Sequence, residues 1–167
     1  MEKVLVLTIS DSASAGKRED LSGPEARRIL EASGFEVAGV DVVPDEQTGI
    51  EARLRRAADE QGVRLVVTTG GTGLSPRDVT PEATLAVADK QVPGISELMR
   101  LEGLRKTPRA ALSRGVAAVR GGTLILNLPG SVKGVRESLE AVVPILGHAL
   151  EVLGTGSAHC GEADPAL

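Results

Sequence analysis

Tryptophan and tyrosine are absent from this sequence, and Phe35 is its only aromatic residue. A protein that binds single-stranded nucleic acid by stacking bases on aromatic rings has almost nothing here to stack them on. Any planar ligand must lie against aliphatic side chains, peptide planes or arginine. Cysteine is as scarce: Cys160 alone forms no internal disulfide and no multi-cysteine metal or cluster site. Net positive charge is missing too. With 19 Lys and Arg against 23 Asp and Glu the chain carries −4, which argues against duplex nucleic acid, whose affinity comes largely from cationic contacts with phosphates. An anionic ligand must then be held locally, by backbone N–H groups, a few placed cations or a metal. No apolar run reaches membrane-spanning length, and the N-terminus opens on a strand-like run rather than a basic stretch and a long apolar one. The expectation is a cytoplasmic enzyme with no nucleic-acid and no membrane partner.

What is present describes an ordinary globular chain. At 167 residues, 41% hydrophobic and 25% charged, it has room for one domain with a core covered on both faces. Val4-Leu5-Val6-Leu7-Thr8-Ile9 reads as a strand buried on both faces. A helix follows near Ser22, where Ser22 and Glu25 have capping-box spacing and Pro24 sits in the first turn, and it ends at Gly34. Further strands are expected at about Val37 to Val43 and at Leu65 to Thr69. A helix carrying Ile50, Leu54 and Ala57 lies between them. Thr80-Pro81-Glu82 supplies an N-cap, a first-turn proline and an early acid for a helix to Ala88. Another helix spans about Ile95 to Leu104, and Gly121-Gly122 turns a hairpin between Val116 to Val119 and Leu124 to Leu128. Ser131 caps a long helical stretch that should kink or break at Pro144. The domain is expected over 1–154, with 155–167 a mobile tail.

Strands alternating with helices imply a mostly parallel sheet with helices on both faces, plus the small hairpin. In such sheets ligands bind along the carboxyl ends of the strands. That edge collects Ser10-Asp11-Ser12, Pro44-Asp45-Glu46, Gly70-Gly71-Thr72-Gly73 and Asn127-Leu128-Pro129-Gly130-Ser131. The glycine loop is either a tight turn or an anion cradle of successive N–H groups. It is neither a Walker sequence nor a dinucleotide fingerprint, since Pro76 stands where the latter needs a glycine. Ser75, Arg77 and Asp78 follow closely. Arg77 suits a phosphate, and Asp78 suits either Mg²⁺ or an Asx-turn. Asp45 after Pro44 has the same two roles open, metal ligand or N-cap. Their convergence beside the glycine loop favours a shared metal-phosphate site. No histidine stands at this edge, and His159-Cys160 is too little for a metal site.

Thr69-Gly70-Gly71-Thr72-Gly73 continuing through Arg77-Asp78-Val79-Thr80-Pro81-Glu82-Ala83-Thr84 resembles the signature of the molybdopterin adenylyltransferases. These comprise the MogA/MoaB proteins and the G domains of plant and animal fusion enzymes. Ile9-Ser10-Asp11, Ser14-Ala15-Gly16, Ser22-Gly23-Pro24, Val43-Pro44-Asp45-Glu46, Leu112-Ser113-Arg114 and Asn127-Leu128-Pro129-Gly130 match in order, so the likeness runs from about Lys3 to Leu153.

The resemblance implies a three-layer α/β/α domain, usually trimeric, that adenylylates molybdopterin with MgATP and releases pyrophosphate. It implies Asp45 and Asp78 as the critical carboxylates and as holders of Mg²⁺. It places Ser10, Asp11, Gly70, Gly71, Thr72, Gly73, Asn127, Pro129 and Gly130 in the ligand pocket. Ser75, Arg77 and Ser131 are added from their loops, and Ser113 and Arg114 from the resemblance, with a purely structural role open for the last two. It also implies hand-over of product to a molybdenum-insertion protein. The alternative is a carrier or scaffold that binds molybdopterin with little transfer.

Overall fold

The computed structural model describes residues 1–155, with no account of the Thr155 side chain. Along the chain these form β1 (Lys3–Ile9), α1 (Asp11–Ser14), α2 (Ser22–Ala32), β2 (Glu36–Val43), α3 (Gln47–Asp59), β3 (Leu65–Thr69) and α4 (Thr80–Val87). There follow β4 (Lys90–Gln91), α5 (Pro93–Leu104), a 3₁₀ turn (Pro108–Leu112), β5 (Ala117–Arg120), β6 (Thr123–Leu128) and α6 (Val132–Thr155). Apart from Thr155 itself, the expected tail at 155–167 lies outside the described residues.

The central strands carry apolar side chains on both faces because each face is roofed by helices. Val4 and Val6 of β1, Leu65 and Val67 of β3, and Leu124, Leu126 and Leu128 of β6 pack with α2, α5 and α6. Their neighbours Leu5, Leu7, Ile9, Val66 and Ile125 turn the other way, onto Ile50, Leu54 and Ala57 of α3 and Ala83 and Val87 of α4. Period-two alternation between two apolar faces is what a sheet sandwiched between helix layers requires. The result is the expected three-layer α/β/α domain.

Six strands lie in the order β2-β1-β3-β6-β5-β4. β1, β2, β3 and β6 pair in parallel, and β5 runs antiparallel between β6 and β4. The β5–β6 hairpin closes through Gly121 and Gly122, as expected. From β1 the chain passes to β2 on one side and then returns to β3 on the other. The loops leaving β1 and β3 therefore separate at a topological switch point, the usual place for a ligand crevice in open α/β sheets.

Four local expectations are corrected. Ser22 does not cap α2: the cap position is Leu21, and Ser22 Oγ instead meets Asp20 Oδ1 at 3.2 Å and Thr69 Oγ1 at 2.8 Å. The carboxylate of Asp20 accepts the Gly23 N–H at 3.0 Å and so supplies the capping acceptor. Thr80 is the first residue of α4 rather than its cap. The loop after β1 coils into α1, with Ser10 Oγ accepting the Ala13 N–H at 3.2 Å. Finally, the chain does not break into two helices at Pro144, and α6 is continuous across it. Val135, Leu139, Val142, Leu146 and Leu150 form one unbroken buried face across that position, while Pro144 and Glu140, whose carbonyl loses its donor, lie on the exposed side. Burial of the stripe outweighs one solvent-facing hydrogen bond. Ser131 caps this helix as expected, its Oγ accepting the Gly134 N–H at 3.0 Å.

Candidate active site

The glycine loop leaves β3 at the switch point. Gly70 and Gly71 have φ of +96° and +65°, in the left-handed region that costs other residues free energy. A Cβ on Gly70 would run into the Ile9 carbonyl oxygen, and one on Gly71 into the Thr80 hydroxyl and to 3.1 Å from Asp45 Oδ1. The loop's carbonyls are all taken by protein donors. Thr80 Oγ1 donates to Gly70 O at 2.9 Å and Thr80 N–H to Gly71 O at 3.1 Å. Arg114 N–H donates to Thr72 O at 2.8 Å and its Nε to Gly73 O at 2.7 Å. The N–H groups of Gly71, Thr72 and Gly73, by contrast, donate to no acceptor among the described residues. Three successive free N–H groups with their carbonyls pinned away make an anion cradle.

Carboxylates gather against this loop. Asp45 and Asp11 exchange hydrogen bonds: Asp11 N–H donates to Asp45 Oδ2 at 2.8 Å, and Asp45 N–H to Asp11 Oδ1 at 2.9 Å. Asp45 is therefore not the N-cap of α3. That position is Glu46, which makes no side-chain cap bond. Burial raises the Asp45 pKa above the ordinary carboxylate value, and the charges of Asp11 and Asp78 push the same way against the lowering effect of the Asp11 N–H. Asp78 partly fills its turn-forming role, since its Oδ2 accepts the Ser75 N–H at 2.9 Å. Asp45 Oδ1 and Asp78 Oδ1 accept no hydrogen bond among the described residues. Arg77 lies across Asp11, with Nε 3.0 Å from Oδ2 and Nη2 2.9 Å from Oδ1. This pairing lowers the Asp11 pKa and raises that of Arg77.

Two cavities flank the point where the loops touch, where a Cβ on Gly130 would come within 3.2 Å of Gly70 Cα. One, about 320 Å³, has a largely apolar floor of Met99, Gly103, Ala110, Leu112 and Pro129, with Arg109 and Lys133 among the residues that line it. The other, about 430 Å³, is hydroxyl-rich, with Thr8, Ser10, Ser22 and Thr69 beside Asp20 and Arg18. Thr72, Gly73, Ser113, Asn127 and Pro129 face the first, Ser10, Gly70 and Gly130 the second, and Ser131 both.

Not every expected residue is placed to touch a ligand. The side chain of Asn127 is 1% exposed and fully occupied: Nδ2 donates to Thr84 at 2.9 Å and Thr68 at 3.1 Å, and Oδ1 accepts the Val116 N–H at 3.3 Å. Ser75 Oγ accepts the Arg77 N–H at 3.3 Å within its own exposed turn. Arg114 spends its guanidinium on protein carbonyls and on Glu82, which it holds below the ordinary carboxylate range. Sequence reasoning missed Asp20, Thr80 as a loop anchor, and Arg100 and Arg109. Asp20 had one readable signal, an acid three residues before Gly23 at a helix start. Arg100 and Arg109 sit among ordinary surface arginines and had none.

A family model described as the probable molybdopterin binding domain matches residues 5–148. A molybdopterin adenylyltransferase of Haemophilus influenzae is 47% identical over 150 residues, covering 89% of this chain and 76% of that one. The molybdenum cofactor synthesis protein cinnamon of Drosophila melanogaster is 44% identical over 151 residues, and this chain spans only a quarter of its length, 25%, with 89% of its own. The crystal structure of MoaB, a molybdopterin biosynthesis enzyme of Thermus thermophilus, superposes with a TM-score of 0.88 at 58% identity, covering 94% of this chain and 98% of that one. Matched through its sheet, its glycine loop and both switch-point loops, this chain belongs to the probable molybdopterin binding domain family.

Proposed function

We propose that this protein is a molybdopterin adenylyltransferase of molybdenum-cofactor biosynthesis, transferring AMP from ATP to the phosphate of molybdopterin. The observation that carries this is the free N–H triad of Gly71, Thr72 and Gly73 beside two carboxylates, Asp45 and Asp78, each with an unengaged oxygen. Relatives bearing that enzyme name, at 47% and 46% identity, support it independently.

The two cavities suit the two substrates. The apolar floor around Met99 and Pro129 offers aliphatic and peptide surfaces to a pterin ring, and Arg109 and Lys133 offer charge to its phosphate. The hydroxyls and carboxylate of the second cavity suit a nucleoside. The glycine loop lies between them, where the reacting phosphates would meet. A phosphate oxygen of molybdopterin then attacks the α-phosphorus of ATP, a new P–O bond forms, the α–β bond breaks and pyrophosphate leaves. The nucleophile needs no general base, because a phosphate monoester with a second pKa near ~6 is mostly ionised at neutral pH. The protein's work is positioning and charge neutralisation.

Magnesium fits this donor set. Asp45 and Asp78 are hard oxygen donors whose mutual repulsion a divalent ion would relieve, and Mg²⁺ commonly takes one or two carboxylates and completes its shell with phosphates and water. Among the described residues no group of three or more His, Cys, Asp or Glu is placed to hold a metal ion, so an ion held by these two carboxylates would have to take the rest of its shell from substrate and water. Bound there, Mg²⁺ would neutralise charge on the polyphosphate as the bond breaks. Asp11 keeps Asp45 oriented, and Arg77 shields the carboxylates.

We place the reaction in the cytoplasm, as its use of ATP suggests; among the described residues no helix is long and apolar enough to cross a membrane. We also propose a homotrimer that hands its product to a molybdenum-insertion protein. The exposed Leu85, Leu101, Leu104 and Leu112 offer apolar surface for such contacts.

The test is direct: incubate the protein with MgATP and molybdopterin, and measure pyrophosphate and an AMP-bearing pterin. Folded protein that binds molybdopterin yet releases no pyrophosphate under several divalent metals would replace this reading with a carrier.

A further inference from the structure

Arg114 follows the 3₁₀ turn that walls the apolar cavity and points away from it, across the glycine loop. Its own N–H holds Thr72 O at 2.8 Å, Nε holds Gly73 O at 2.7 Å, Nη2 holds Asp78 O at 2.7 Å, and Nη1 pairs with Glu82 on α4. One rigid guanidinium thus joins the anion cradle, the backbone of a proposed metal ligand and the first turn of a helix. The base of this clamp is itself fixed. Arg100 Nη1 donates to Gly115 O at 2.8 Å and Ser113 O at 3.4 Å from the α5 side.

The segment so held is anchored mainly at its two ends. Leu74, Ser75, Pro76 and Arg77 are exposed. The bonds of Asp78 to Ser75 (N–H to O at 2.9 Å, and Oδ2 from N–H at 2.9 Å) close a turn but do not attach it to the body of the protein. Attachment comes from Arg77 on Asp11, from Arg114 on Asp78 O, and from Thr80 just beyond, whose N–H and Oγ1 hold Gly71 O and Gly70 O. Arg114 is the partner that ties the Asp78 backbone itself to a distant part of the chain, and so helps to set its separation from Asp45.

We propose that Arg114 is a positioning residue for the transfer step: it sets where Asp78 and the Gly73 amide stand relative to Asp45, and touches neither substrate. This rests on the reading of Asp78 as a metal-phosphate ligand given above. The planar fork is what the role requires. A lysine keeps the charge opposite Glu82, but a single ammonium cannot also hold two separate carbonyls in fixed directions. Misplacing a catalytic group by about 1 Å can cost on the order of 10²-fold in rate.

The experiment compares Arg114→Lys with Asp78→Asn and the parent protein. Turnover, molybdopterin affinity by direct titration, and Mn²⁺ affinity in the presence of α,β-methylene-ATP are measured for each. For Arg114→Lys the expected result is turnover reduced on the order of 10- to 100-fold, weaker Mn²⁺ binding, and a molybdopterin Kd within about twofold of the parent, because the apolar floor, Arg109 and Lys133 are untouched. Lost molybdopterin binding would make Arg114 a substrate ligand and overturn the proposal. So would parental turnover together with parental Mn²⁺ affinity. Normal turnover in Asp78→Asn would sink the underlying metal-phosphate reading, whereas an impaired Asp78→Asn beside a normal Arg114→Lys would sink this inference alone. Should Arg114→Lys not fold, Glu82→Gln decides: it loosens one arm of the fork, so a smaller loss of turnover and Mn²⁺ affinity supports the clamp and parental values overturn it.

Discussion

Replacing Gly71 by alanine tests the glycine loop in a way that separates backbone strain from steric conflict. At φ +65° an L-residue pays for a left-handed backbone, about 1–2 kcal/mol. The new Cβ would also meet the Thr80 hydroxyl and stand 3.1 Å from Asp45 Oδ1. Thr80 has 0% exposure and is tied to Gly70 O, so it cannot swing away without releasing that carbonyl. Overpacking of this kind costs a further ~1–3 kcal/mol, for a total of ~2–5 kcal/mol. For a domain of this size each kcal/mol lowers Tm by ~2–4 °C, so the expected loss is ~4–20 °C. Gly16→Ala is the control. Its φ is +69°, almost the same, but nothing lies within 4 Å of its built Cβ, so only the backbone cost applies, ~2–8 °C. Thermal unfolding of both variants at matched protein concentration measures the difference. Gly71→Ala should also lose turnover, because relief of the clash must move the free N–H groups, while Gly16→Ala should keep it. Equal Tm losses in the two variants would refute the claim that Thr80 and Asp45 leave no room at Gly71.

Asp45→Asn and Asp78→Asn should each lower single-turnover adenylylation on the order of 10²-fold, the scale for one lost charge-stabilising group, with molybdopterin binding retained; near-parental rates in both would remove them from the metal site. Asp45→Asn should at the same time raise the Tm of the ligand-free protein at neutral pH. Burial and the neighbouring carboxylates lift the folded pKa of Asp45, so its ionised form opposes folding increasingly as pH rises, and asparagine still accepts the Asp11 N–H. That gain should shrink as pH falls into the carboxylate range, and a lower Tm at neutral pH contradicts it. On the surface, Arg28 and Arg136 hold Glu25 at about 2 rather than 4.5. Its contribution to stability is therefore complete above the unfolded value and lost as pH falls from there through about 2. Arg136→Ala, which removes the contact at 2.5 Å, should move Glu25 upward in a carboxyl NMR titration; an unmoved titration would mean the pair is absent in solution.

Layer architecture and element order were legible in the sequence because both follow from periodicity that any short window displays. The buried run from Val4 to Ile9 and the Ile50–Leu54–Ala57 stripe each required a roof, and each found one. Punctuation was legible too, with β3 ending at Thr69 and the hairpin closing at Gly121 and Gly122. Caps were less so. Ser22, Thr80 and Asp45 have the composition of helix starts, yet all three send their side chains elsewhere, to Thr69, Gly70 O and the Asp11 N–H. Local preference for a cap is worth about 1 kcal/mol, and a buried partner across the switch point competes on even terms.

What the sequence determined by itself was the chemistry available at one edge of the sheet: a glycine loop, two candidate carboxylates and no histidine. Which of those groups remain free for a ligand was decided only by tertiary structure. Hydrogen bonding is exclusive, and the partners come from far along the chain: Arg114 takes Gly73 O across 41 residues, and Asn127 is consumed by Thr68 and Thr84. The same pairing that occupies the side chains of Arg114 and Asn127 leaves the N–H groups of Gly71, Thr72 and Gly73 without acceptors among the described residues. No spacing rule reaches that result, because a donor's availability depends on every acceptor that the completed fold brings within hydrogen-bonding reach of it.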